Sequence, residues 1–111
     1  MTTLLPRDDD ETPIQALGLR PGGAHTLAVG AASTRTQIAF AASTCVISVY
    51  ATAPVHIRLG DGAVTAAATD HFLPADTLVD LSLGGGKRPT HTHLAAIRTG
   101  IDCTLYISER E

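Results

Sequence analysis

Apolar residues recur at every second position in this chain, in short runs that turn-forming residues interrupt about every ten positions. Val55, Ile57 and Leu59 alternate with His56 and Arg58. Cys45, Ile47, Val49 and Ala51 make a second such face, Val79, Leu81 and Leu83 a third, and Cys103, Leu105 and Ile107 a fourth. A period of two puts one set of side chains on one side of an extended backbone, so each run reads as a strand with one buried face. The runs predict strands over His25–Val29, Thr36–Phe40, Thr44–Ala51, Val55–Gly60, Val64–Ala68, Thr77–Leu83, His93–Arg98 and Cys103–Ser108. No window of helical length carries a 3.6-residue stripe. Asp61-Gly62 has the chemistry of a two-residue hairpin turn, and Thr99-Gly100-Ile101-Asp102 reads as another turn. The expected fold is all-β: a single antiparallel β-sandwich, jelly-roll or Greek-key-like, over residues 24–111.

Residues 1–23 break the pattern and read as an extended N-terminal arm. The run Asp8-Asp9-Asp10-Glu11 repels itself and favours solvent. A strap with Pro13, Gly18, Pro21, Gly22 and Gly23 follows without any period.

At 111 residues the chain has room for one domain. Its 44% hydrophobic content is too high for a disordered chain, and no stretch approaches the ~18 apolar residues of a spanning helix. The first eleven residues lack the basic and apolar regions of a secretion signal. A net charge of -3 argues against a module that displaces counterions from a nucleic-acid duplex. Only 17% of residues are charged, and Ala66, Ala68, Thr90, Thr92 and Ala96 fall on expected outer positions. An outer surface so poor in charge points to a partner, and most simply to a second copy. Cys45 and Cys103 lack the spacing of a metal site and are expected to be reduced core residues.

The constellations that carry chemistry are few. His91-Thr92-His93 would put two imidazoles on one strand face, and with His71 or Asp70 these are the weak candidates for a metal site. No serine stands in a G-x-S-x-G elbow. Gly84-Gly85-Gly86-Lys87-Arg88 is followed by Pro89 and another strand run, so it reads as a mobile loop tip, not a phosphate cradle. The aspartates lie at turns or on outward positions, and glutamate occurs only at Glu11, Glu109 and Glu111. No catalytic residue and no cofactor are expected.

Four segments have a further likeness: Ala53-Pro54-Val55-His56-Ile57-Arg58-Leu59-Gly60-Asp61, Val64-Thr65-Ala66, Thr69-Asp70-His71-Phe72-Leu73-Pro74-Ala75 and Ala95-Ala96-Ile97-Arg98. With Gly100 and Thr104-Leu105-Tyr106-Ile107-Ser108 they form an ordered series over about residues 23–108. In order and spacing the series resembles small virion structural proteins of tailed bacteriophages and phage-like gene transfer agents. That series contains no catalytic motif. The resemblance implies a non-enzymatic subunit, made in the bacterial cytoplasm, that self-associates and docks to other proteins of a particle. Its place there would be a head–tail component, a spike or a fibre base. Tyr50, Arg58, Phe72, Arg98 and Tyr106 are the expected interface anchors, because tyrosine and arginine dominate such contacts. The alternatives are a carbohydrate- or small-ligand-binding β module, such as a receptor-binding tip, and a metal-dependent cupin-like enzyme. Neither a membrane nor a nucleic-acid partner is expected.

Overall fold

The structure is a computed structural model in which residues 18–84 and 90–110 are described. The acidic arm, the first half of the strap and residues 85–89 of the glycine loop lie outside the described residues. Eight strands are present among them: β1 (Leu19–Val29), β2 (Thr34–Arg35), β3 (Val46–Ala51), β4 (Val55–Gly60), β5 (His71–Leu73), β6 (Val79–Ser82), β7 (His93–Arg98) and β8 (Cys103–Arg110). They form two four-stranded antiparallel sheets, β1-β8-β3-β6 and β2-β7-β4-β5, with no helix among the described residues.

The alternation sets which side chains meet. Leu27 and Val29 of β1, Ile47, Val49 and Ala51 of β3, and Leu105 and Ile107 of β8 project from the first sheet. Val55 and Ile57 of β4, Leu73 of β5, and Leu94 and Ala96 of β7 meet them from the second. Phe40 and Leu83, from connecting segments, complete this shared core. The arrangement is sandwich-like, and burial of each large aliphatic contributes about 1.5–3 kcal/mol.

Only β4 and β5 are consecutive strands within one sheet; every other connection passes from one sheet to the other. The resulting partners are β1 with β8, β2 with β7, β3 with β6 and β4 with β5. Two further pairings, β8 with β3 and β7 with β4, join these couples into sheets.

β4 and β7 occupy the expected residues, and several other segments differ. β1 begins at Leu19, inside the expected strap and ahead of the expected start at His25. Its register on β8 shifts between Leu19 and Ala24, across Pro21-Gly22-Gly23, and this irregularity hides the strand's period. At Gly23 a Cβ would lie 2.8 Å from the Glu109 Cβ, so no larger residue fits there without movement. The expected strand Thr36–Phe40 is instead an irregular extension of the two-residue β2. Thr36 N donates to Leu94 O and Phe40 N to Thr92 O, but Leu94 N donates to the Thr36 hydroxyl where a regular ladder would use a backbone carbonyl. Cys45 is exposed and outside the core, while Cys103 is half-buried; both are free thiols. Ala66 and Ala96, expected on the outside, are buried.

Val64–Ala68 is no strand, and Asp61-Gly62 does not lead into a hairpin. The Asp61 carbonyl and carboxylate accept from Val64 N and Ala63 N, which bends the chain back over the second sheet. Val64 and Ala66 there cover Ala95 and Ile97 in a small second cluster. The fold-back needs Gly60, where a Cβ would lie 2.8 Å from Val64 Cγ2 and 2.9 Å from its Cβ. The strand that pairs with β4 is β5, whose three residues are too few to declare a period. Gly60→Ala is expected to cost about 1–3 kcal/mol through forced movement of Val64. A lower urea midpoint at unchanged m-value is the check.

Candidate functional site

Among the described residues, the buried carboxylate with the most hydrogen-bond partners lies on the core side of β8. Leu105, Ile107 and Glu109 share one parity, so the face that feeds two aliphatics into the core ends in an acid. Glu109 is 2% exposed. Its Oε2 accepts from His25 Nε2 at 2.8 Å, and its Oε1 accepts from Ala41 N at 2.8 Å and the Thr44 hydroxyl at 2.7 Å. The His25 ring meets Phe40 edge-on, with ring centroids 5.2 Å apart. One carboxylate therefore ties β1, β8 and the β2–β3 connection together. Burial acts to raise its pKa, but the His25, Ala41 and Thr44 hydrogen bonds and the His25 charge outweigh it and hold Glu109 below its ordinary value. All three partners are committed to the fold, which makes this a structural clamp.

The outer face of the first sheet has a different character. Thr26, Tyr106 and Tyr50 stand side by side across β1, β8 and β3, with Ala24, Ser108, Ser48 and Asp80 in the adjoining row. Tyr106 is 48% exposed. The charged groups of this face are satisfied within the chain. Arg110 donates to the Ser48 hydroxyl, which donates to Asp80, and the Tyr50 hydroxyl donates to Asp76. Hydrogen bonding to the Asp76 carboxylate raises the Tyr50 pKa above its ordinary value, with smaller contributions from burial and the Asp76 charge. Leu78, just before β6, is exposed beside these rows. The result is a broad face of small residues with a paired tyrosine centre.

The other expected anchors lie elsewhere. Phe72 pairs with His56 on the outer face of the second sheet, where the two rings meet edge-on at 5.8 Å. Arg58, on that same face, lies 3.9 Å from Asp70. His56 Nδ1 donates to the Asp70 carbonyl, and Ala66 N donates to the Ser33 hydroxyl, so the 61–70 segment is tied down across this face. Arg98, at the end of β7, pairs with Asp102 in the following turn at 2.6 Å. The five residues thus divide between two opposite faces and one corner, and only Tyr50 and Tyr106 are direct neighbours.

The histidines separate as well. β7 starts at His93, so His91 precedes the strand; its backbone N–H donates to Leu83 O on the first-sheet side. His91 lines a cavity of about 440 Å³ at an open edge of the fold, with His71, Arg58, Asp70, Leu59 and Leu81. His93 bonds to the Thr92 hydroxyl and its ring lies against Gly62. Among the described residues, no three His, Cys, Asp or Glu side chains are grouped to hold a metal ion. The sequence reading missed Glu109 as a clamp. Its one visible signal was an acid continuing the inward parity of Leu105 and Ile107.

Compared with known protein families, curated proteins and solved structures, the chain matches none.

A depressed folded-state pKa means that Glu109 stabilises the fold fully above its unfolded value, near ~4.3, and loses that contribution as pH falls through the folded value. Acid unfolding is expected to steepen below about pH 4.5, and Glu109→Gln is expected to flatten that part of the curve. Glu109→Ala orphans the Ala41 N–H and the Thr44 hydroxyl and is expected to cost at least about 2 kcal/mol at neutral pH. Urea titrations at a series of pH values measure both effects.

Proposed function

We propose that this protein is a non-enzymatic structural subunit of a phage or phage-like particle, a jelly roll that associates with copies of itself and docks to neighbouring particle proteins. The observation that carries the reading is the outer face of the first sheet. Tyr50 and Tyr106 are cross-strand neighbours amid Thr26, Ala24, Ser108 and Thr104, and the charges beside them are spent on internal hydrogen bonds. Such a face gives up little hydration when covered, and aromatic side chains carry much of the energy of contacts of this kind. The jelly-roll assignment is supported by the order of partners. First strand pairs with last, second with seventh, third with sixth and fourth with fifth, as in a long hairpin rolled up on itself. Jelly rolls serve in capsid and lectin domains and in cupins, so the architecture alone selects no function. The particle assignment draws on the resemblance of the series from Ala53 to Ser108.

The expected outcome is a discrete multimer by light scattering for the full chain. Tyr106→Lys, an exposed substitution, is expected to keep the thermal midpoint and lower the mass. A wild-type monomer at every concentration overturns self-association, and an unchanged Tyr106→Lys multimer removes this face from it.

One feature favours the small-ligand reading: the edge cavity, lined by Leu59, Leu81, His71, His91, Arg58 and Asp70. Apolar walls beside the Arg58 guanidinium and two imidazoles suit a small carboxylate bearing an apolar tail, which would compete with Asp70 for Arg58. Octanoate is the probe for that reading. Saturable shifts of the His71 and His91 ring signals support it, and their absence at millimolar octanoate (~1 mM, a binding free energy of about -4 kcal/mol) opposes it.

A further inference from the structure

Among the described residues β1 is an edge strand, and its second half, Ala24–Val29, has none of the usual protections of an edge. Natural edges are guarded by lysine, proline, bulges or a covering segment. In β1 the proline and the irregularity fall before Ala24, and among the described residues no strand pairs with Ala-His-Thr-Leu-Ala-Val on the side away from β8. Beside that edge runs a groove of about 440 Å³, walled by Ala24–Ala28 on one side and Thr34–Ile38 on the other. Ile38 on the far wall is 73% exposed.

The groove also has a charge preference. Arg35 of β2 lines it, Arg20 stands near the start of β1 outside the groove's lining, and neither forms an ion pair among the described residues. The chain itself contains a segment of the opposite sign, Asp8-Asp9-Asp10-Glu11, within the seventeen residues ahead of Gly18. At about 3.3 Å per residue, seventeen extended residues reach roughly 56 Å. The longest dimension of the described molecule is 48 Å. An arm leaving β1 of one copy is therefore long enough to lie along β1 of the next.

We propose that residues 1–17 of a neighbouring copy add as a strand to the open edge of β1, with the acidic run placed against Arg35 and Arg20. The proposal rests on self-association, and it concerns a contact distinct from the Tyr50–Tyr106 face. Backbone hydrogen bonds along Ala24–Val29 supply the pairing, and charge sets the register.

The test is zero-length carbodiimide coupling of carboxylates to amines in the full-length Arg35→Lys chain, which places an amine in the groove at unchanged charge. Heavy-isotope and unlabelled chains are mixed before coupling, and linked peptides are read by mass spectrometry. The expected product joins position 35 to Asp8–Glu11, with one heavy and one light partner in the same linked peptide. Links only within like-labelled chains show the arm folded onto its own edge and overturn the proposal. Links from position 35 to other carboxylates alone overturn it too. Arg35→Glu is expected to lower the multimer mass and Tyr106→Lys to leave the 35-to-arm link in place, which separates failure of this contact from failure of the sheet-face contact.

Discussion

A carboxylate that completes a row of core aliphatics holds three parts of this chain in place. Leu105 and Ile107 enter the core from β8, and Glu109 follows them inward. An acid in that position costs free energy unless its oxygens are satisfied, and here His25, Ala41 and Thr44 do so. Those partners lie 84, 68 and 65 residues away in sequence, so the cost is offset only when β1, β8 and the β2–β3 connection are all in their final positions. Other details follow from this. Gly23 has no side chain because the Glu109 Cβ occupies that space, and Phe40 packs its ring against His25 at the end of the core. An apolar residue at position 109 would bury as well but would leave the Ala41 N–H and the Thr44 hydroxyl without their acceptor.

The parts of the fold legible in the sequence are those where one strand face is buried and the other wet. Val55–Gly60 and His93–Arg98 alternate cleanly and are strands at those residues. The rest fails for particular reasons. Pro21-Gly22-Gly23 breaks the period of β1 without ending the strand. Val64 and Ala66 alternate because both cover Ala95, and a lid with two inward residues imitates a strand with two inward residues. Turn residues mark where the chain bends but not whether it returns to the same sheet or crosses to the other. Asp61-Gly62 and Thr99–Asp102 looked alike as turns; the first opens a fold-back over one sheet, and the second carries β7 into β8 on the opposite sheet.

The sequence named residues for a candidate face without showing which of them would be neighbours. Tyr50 and Tyr106 are neighbours because β3 and β8 pair in the register that puts them opposite each other, a relation between residues 56 positions apart (106 − 50) that no local pattern encodes. Phe72, Arg58 and Arg98 were grouped with them by residue type alone, and topology sends those three elsewhere. His91 and His93 illustrate the opposite error. Spacing that puts two side chains on one face holds only inside a strand, and β7 begins at His93, leaving His91 outside it.

The position of β8 has a consequence for how the molecule is made. β8 lies between β1 and β3 and supplies Leu105, Ile107 and Glu109. While the chain emerges from the ribosome, β1 and β3 therefore wait for their shared neighbour with hydrogen-bonding edges and apolar faces bare. Residues 103–110 are the keystone of the first sheet: without them β1 has no strand partner among the described residues and β3 keeps only β6. A stalled or clipped nascent chain lacking that segment would leave β1 and one edge of β3 open, the kind of exposed edge on which chaperones and proteases act.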